Sequence, residues 1–202
     1  NAQIGYGSYN TLQPELSNRF RKGRFNSIVT GSYNRTDGHR ENMEFEQYGG
    51  YAKLGYDFNA AWKVWGDVNI TRFKASNPGE TDNPYIDNDS RITRGMATFA
   101  LENHNEKRSG ALSFFYNWGL HKFNDGYHPG GTPQESHFNS KDRMLGVSWY
   151  QSATLFAGNR LTVGFDYQHF GGKSWNKMVA TGEQIPGVDK QMDEFAGDVD
   201  FR

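Results

Sequence analysis

The side chains with chemistry to offer are imidazoles, guanidinium groups and aromatic rings, and they gather in the polar stretches of the chain. Asp37-Gly38-His39-Arg40 puts an imidazole beside a guanidinium, a pair able to contact an anionic or metal-bearing ligand. The same four residues also make an ordinary turn, with Asp and Gly present for backbone geometry. His121, His128 and His137 flank or occupy a stretch rich in Gly, Pro and His. Neutral imidazole is a common ligand for a transition metal or a haem. The spacing of these three matches no metal motif, which favours a solvated loop. Tyr85, Tyr127 and Trp175 either stack on a ligand or pack within their own loops. The candidate ligand-binding residues are therefore His39, Arg40, Tyr85, His121, Tyr127, His128 and Trp175. No resident metal or cofactor is expected. No nucleophile–base pair, Gly-rich phosphate loop or distinctively spaced carboxylate pair occurs, so an enzymatic reading has nothing to rest on.

These residues must be held by strands. In residues 45–58 the even positions Tyr48, Gly50, Ala52, Leu54, Tyr56 and Phe58 are apolar, small or aromatic. The odd positions Gly49, Lys53, Gly55 and Asp57 are small or charged, with Tyr51 the exception. A period of two means a strand with two chemically different faces. Residues 62–72 repeat it, with Trp62, Val64, Gly66, Val68 and Ile70 on one face. Residues 24–35 do the same with Phe25, Ser27, Val29, Gly31 and Tyr33. Asn59-Ala60-Ala61 between two such runs is a tight turn.

Extended along the chain, the pattern predicts nine strands. The first covers residues 2–21, bent by Gly5, Gly7 and Pro14, the proline marking a bulge or an edge. Later strands cover residues 90–103, then runs beginning at Leu112, Leu145 and Leu161, and a last one near the end of the chain. Short turns fall at 22–23, 59–61, 105–108 and 157–159. Long loops fall at 36–44, 75–89, 124–142 and 171–191. Lys53, Asp57, Lys63, Asp67, Arg94, Glu102 and Asp166 all lie on polar faces. No helical period is long enough for a helix.

Composition narrows the setting. The 202 residues include no Cys, 24 Gly and 15% aromatics, with 35% apolar residues. Absence of Cys excludes a disulfide scaffold and a Cys-based zinc site. A net charge of −1 gives no electrostatic case for nucleic acid. No apolar run approaches the ~20 residues of a membrane-spanning helix. Strands of 12–15 residues exceed the ~5–6 of soluble proteins and suit a bilayer crossing of ~9–11. Phe25, Tyr56, Phe58 and Trp62 sit at the short-turn ends of the apolar faces, where an interfacial girdle belongs. The expected fold is all-β, with antiparallel strands of a transmembrane β-barrel whose apolar face meets lipid. A soluble β-sandwich that binds glycans through its aromatics is the alternative. It would bury Leu54, Val64 and Val68 between two sheets.

Several segments carry a resemblance. Gly5-Tyr6-Gly7-Ser8-Tyr9-Asn10-Thr11, then Gly23-Arg24-Phe25, then Ser32-Tyr33-Asn34-Arg35-Thr36-Asp37-Gly38-His39-Arg40 resemble the early barrel strands of TonB-dependent outer-membrane receptors. In that family a G-S-Y-x-T strand follows the plug domain, and an S-Y-x-x-T-D-G-[HY]-R segment ends the next rising strand. The resemblance is clearest over residues 5–73. It implies a bacterial outer-membrane location and a 22-stranded barrel plugged by an N-terminal domain. It also implies import of a scarce ligand: a ferric siderophore, haem, cobalamin, glycan or similar. The implied partners are the imported small molecule or metal chelate, the lipid bilayer and the TonB complex reached through the plug. A surface lipoprotein is a candidate partner. Residues 1–202 then read as a fragment of the barrel domain, without the plug and the remaining strands. A passive porin is the third option.

Overall fold

The computed structural model describes residues 1–202. The chain forms ten strands: β1 (Ala2–Gly7), β2 (Thr11–Lys22), β3 (Phe25–Thr36), β4 (Phe45–Asp57), β5 (Trp62–Ser76), β6 (Ile86–His104), β7 (Arg108–Tyr127), β8 (Ser136–Ala153), β9 (Leu161–Met178) and β10 (Gln184–Phe201). They make one antiparallel sheet in chain order, with β1 and β10 at its two edges.

Ten strands replace the nine expected because residues 2–21 fold back on themselves. Tyr9 and Asn10 hold φ of 57° and 56°, and the Thr11 N–H donates to Ser8 O at 3.2 Å. Two central residues with positive φ define a type I′ turn, whose twist matches that of the strands it joins. Ser8-Tyr9-Asn10 is thus a hairpin turn between Gly7, the last residue of β1, and Thr11, the first of β2. Pro14 interrupts pairing with β3 between Leu12 and Glu15, as a residue without N–H must.

The strands also run further than the sequence suggests. Three expected loops shrink, from 75–89 to 77–85, from 124–142 to 128–135 and from 171–191 to 179–183. The turn expected at 157–159 widens to 154–160. In residues 138–143 both faces are polar or mixed, which reads as loop in a sequence. A strand standing above a bilayer is wet on both sides and needs no apolar face. With 20 residues, β7 is about 65 Å long at ~3.3 Å per residue. At a tilt of ~40° it rises ~50 Å, well beyond a ~25 Å apolar band.

From β3 to β8, register carries each apolar face into the next strand. One row runs Val29↔Ala52↔Val68↔Ala97↔Tyr116↔Leu145. Below it lie Leu54, Gly66, Phe99, Phe114 and Val147, then Val64, Leu101, Leu112, Trp149 and Phe165. On β7 this outward column, Leu112 to Leu120, covers about 26 Å of strand, or ~20 Å of height at that tilt. Phe20, Phe25, Tyr56 and Phe58 form aromatic contacts at its short-turn end, with ring centroids 5.5–6.3 Å apart.

Nothing covers this belt. Leu54 is 52% exposed, Phe99 52% and Phe114 46%, and Ala100 is the sole buried hydrophobic residue. The accessible surface is 13636 Å², against roughly 9600 Å² for a compact monomer of this mass. A sandwich needs a second sheet, and the chain has one. The soluble β-sandwich reading is therefore overturned.

Candidate functional site

The site has an outer tier of loops and an inner tier on the concave polar face, the lumen face of the sheet. The outer tier begins where β3 gives way to residues 37–44. Gly38 turns the chain with φ of +77°, and a Cβ there would meet Met43 O at 2.5 Å. That turn aims Arg40 at the next loop, residues 77–85. Its guanidinium donates to Gly79 O at 2.8 Å, Pro78 O at 3.4 Å and Thr81 Oγ1 at 3.5 Å. Tyr85 stacks on His128 of the third loop, with centroids 4.4 Å apart and planes 25° apart. His128 Nδ1 lies 3.0 Å from Pro84 O. Three consecutive outer loops are thereby strapped together. His39 remains exposed, edge-on to Tyr9 at 6.1 Å.

The inner tier is built on β6, β7 and β8. Asp142 of β8 is paired in register with Gly119 of β7, and Gly119 with Arg94 of β6. A Cβ on Gly119 would lie 2.5 Å from Asp142 Oδ1, so the carboxylate lies across the glycine. It reaches Arg94 in a fork, Nη1 to Oδ2 at 3.2 Å and Nη2 to Oδ1 at 3.3 Å. His121 completes the cluster, its Nδ1 3.0 Å from Ser140 Oγ and 3.7 Å from Asp142 Oδ1. One step toward the short turns lies the row Asn69↔Met96↔Asn117↔Met144↔Phe170↔Met192. Arg94, Asp142 and this row line an open cavity of about 760 Å³. It offers charge, amide and thioether groups to one occupant.

Nearer the short turns the lumen charges pair with each other, as expected of groups on one wet face. Lys63 Nζ meets Glu102 Oε2 at 2.9 Å, and Trp65 Nε1 donates to Glu102 Oε1. Lys53 Nζ stands 3.9 Å over the Trp65 ring, and Arg21 pairs with Asp57 at 3.5 Å.

The seven sequence candidates thus separate. Arg40, Tyr85 and His128 come together in the loops, with His39 nearby. Tyr127 is the last residue of β7 and pairs with Ile86. His121 belongs to the lumen cluster on β7, not to a loop. Trp175, expected in a fourth long loop, is a β9 residue on the outward face. It pairs with Asn139 beside Lys173, whose Nζ is 6.0 Å from its ring. His121, His128 and His137 are not brought into a group able to hold a metal. Asp142, Gly119 and the three methionines were missed. Continuing the period of two from Leu145 back to Phe138 would have placed Asp142 on the lumen face.

No protein-family model matches the sequence, and no curated protein matches it. Solved structures do match the fold. The copper transporter OprC aligns over 100% of this chain and 34% of its own, with a TM-score of 0.73 and 11% identity. FpvA of P. aeruginosa, solved with a heterologous pyoverdine and iron, aligns over 100% and 34%, with 0.75 and 13%. The ferric-catecholate import receptor Fiu of E. coli K12, in its open form, aligns over 98% and 50%, with 0.56 and 11%. This chain has the fold of an outer-membrane receptor barrel wall. It spans about a third of the length of the first two and half of the third. Within the receptor-barrel fold, the lumen cluster faces the bore and the strapped loops stand at one mouth.

Proposed function

We propose that the chain is part of the barrel of a TonB-dependent outer-membrane transporter that imports a scarce ligand, a metal chelate. The carrying observation is the single-layer sheet whose outward face carries an uncovered apolar belt, while the opposite face behind that belt carries the Lys63–Glu102 and Arg94–Asp142 pairs. That division suits a wall between lipid and a polar bore. The matched structures support the transport class: one transports copper, one was solved with an iron pyoverdine and one imports ferric catecholate. In this reading Arg40, Tyr85 and His128 shape the outer mouth, and His39 and Tyr127 contact the ligand there. His121, with Arg94 and Asp142, forms a polar station on the way through. A chelate carries both charge and aromatic or amide surface, and these groups answer both. Energy would come from the TonB complex acting on a plug domain, with a surface lipoprotein as a further candidate partner.

Two measurements test this on the full-length protein. Extraction only by detergent is expected, and solubility without it would overturn the membrane reading. Uptake of radiolabelled ferric siderophore is expected to stop when the TonB system is removed. Uptake that continues would identify a passive porin.

A further inference from the structure

We propose that the luminal row Arg94–Gly119–Asp142–Gly172–Lys190 is a receptor for a small ligand bearing two oxyanion groups, with Asp142 as its built-in competitor. The inference rests on the reading that this face lines a bore. Register sets the five residues side by side across β6 to β10. The row therefore runs cation, glycine, carboxylate, glycine, cation. Arg94, Asp142, Gly172 and Lys190 all line the cavity of about 760 Å³.

The two halves of the row differ. Asp142 lies across Gly119 and meets Arg94. On the other side Gly172 is bare, since a Cβ there would meet only Lys141 O, at 3.8 Å. Lys190 beyond it is exposed and belongs to none of the chain's ion pairs. One oxyanion seated over Gly172 gains the Lys190 ammonium. A second gains the Arg94 fork once Asp142 lets go. With side chains 56% and 40% exposed the Arg94–Asp142 pair is weak, and releasing it costs about fivefold in affinity at most. The two cations stand four strand spacings apart, about 19 Å between backbones at ~4.8 Å each. Two long side chains narrow that gap to the length of a short dianion.

His121 is the positioning residue. Its Nδ1 is 3.0 Å from Ser140 Oγ and 3.7 Å from Asp142 Oδ1. A neutral imidazole is satisfied by Ser140. An imidazolium, formed as pH falls between about 8 and 5, draws the carboxylate off Arg94. The other groups facing this pair leave that choice to His121. Thr71 and Phe73 of β5 and Gly172 and Ser174 of β9 are uncharged. Arg94 of β6 and Lys190 of β10 are the cations, and Asp125 is the next carboxylate along β7. Affinity for a dianion is therefore expected to rise as pH falls.

The test is isothermal titration of detergent-extracted full-length protein with 1,3-propanedisulfonate, which stays doubly ionised over this range. Propanesulfonate is the singly charged control. The disulfonate is expected to bind about tenfold tighter, the scale of one further charge-assisted contact. Arg94→Gln and Lys190→Gln are each expected to remove that preference. Asp142→Asn is expected to raise affinity about fivefold, a gain that misfolding cannot produce. Asp166→Asn removes a luminal carboxylate nearer the short turns and is expected to change nothing. Wild-type affinity is expected to rise about fivefold from about pH 8 to about pH 5.5, and His121→Gln and Asp142→Asn are each expected to flatten that rise. No preference for the disulfonate, a preference that survives Lys190→Gln, an equal gain in Asp166→Asn, or a pH dependence that survives His121→Gln would overturn the proposal. Protein that stays in solution without detergent overturns the reading of this face as a bore. Protein that needs detergent and imports ferric siderophore, yet shows no disulfonate preference, overturns this proposal alone.

Discussion

Moving one arginine by one residue along β6 should separate the two faces of the wall. Ala97 points outward in the middle row of the belt, between Val68 and Tyr116. Two outward rows lie on either side of it on β7, each two residues apart, so it sits about 10 Å in height from either border of the band. An arginine at such depth costs about 2–4 kcal/mol, roughly 30- to 900-fold in the folded population. Leu101 is two rows lower, beside Val64 and Leu112 and one step from the Trp62–Asn103 level. There the charge itself costs about 0–1 kcal/mol. Thr98 is next to Ala97 and faces the lumen, opposite Asp67, whose Oδ1 is buried without a partner. Thr98→Arg should cost close to nothing and can gain that carboxylate. The assay is equilibrium urea unfolding of the full-length protein folded into lipid vesicles. Ala97→Gln corrects for side-chain bulk. Ala97→Arg costing no more than Thr98→Arg would refute the assignment of faces. Ala97→Arg costing no more than Leu101→Arg would refute the assigned depth.

Smaller perturbations probe the site. Arg40→Ala should leave the unfolding midpoint nearly unchanged but speed hydrogen exchange in residues 77–85, because it removes the strap to Pro78, Gly79 and Thr81. Arg40→Lys should not restore protection, since one ammonium cannot reproduce the fork. A double-mutant cycle between Arg94→Gln and Asp142→Asn should give a coupling of about 1 kcal/mol or less, because the side chains are 56% and 40% exposed. Unfolding of the four proteins measures it, and a coupling above ~2 kcal/mol would mean the pair is shielded by something seated in the bore. His128→Ala should free the Tyr85 ring and weaken binding of ferric siderophore by about 5- to 10-fold in equilibrium titration, the scale of one aromatic contact. Unchanged affinity would remove these residues from the binding surface.

What could be read in the residues follows from where the two faces differ chemically. β3 to β7 alternate over the belt, with Ile28, Tyr51, Trp65 and Phe115 the apolar exceptions on the lumen side, and the facing of these strands is legible in the sequence. The first hairpin was not. Three residues separate the paired Gly7 and Thr11, so the even positions keep to one face on both sides of the turn, and tyrosine is an uncommon occupant of positive φ. The upper halves of β8 and β9 read as loops in the sequence because water on both sides removes the contrast that marks a strand. The loop residues Arg40, Tyr85 and His128 could be named by type, but their mutual contacts could not. The inner station was hidden for another reason. Arg94 and Asp142 lie 48 positions apart and meet only because Gly119 leaves room between them. No local pattern encodes a three-strand register.

The same register explains how so thin a structure can be stable. Of 140 backbone hydrogen bonds, 121 lie within the strands, while side-chain burial contributes almost nothing. In water such a ladder is worth little net per bond, because the unfolded backbone bonds equally to solvent. In hydrocarbon each unmet backbone group costs several kcal/mol, so the ladder becomes the main reason to stay folded. The apolar belt then needs no protein partner, since lipid covers it. The same cost applies at the edges of the sheet. The outer rims of β1 and β10 present unpaired N–H and C=O groups, and at bilayer depth these must pair with further strands. The 18 residues of β10 make this the more demanding edge. Closure is therefore the condition under which an otherwise coreless sheet becomes a wall.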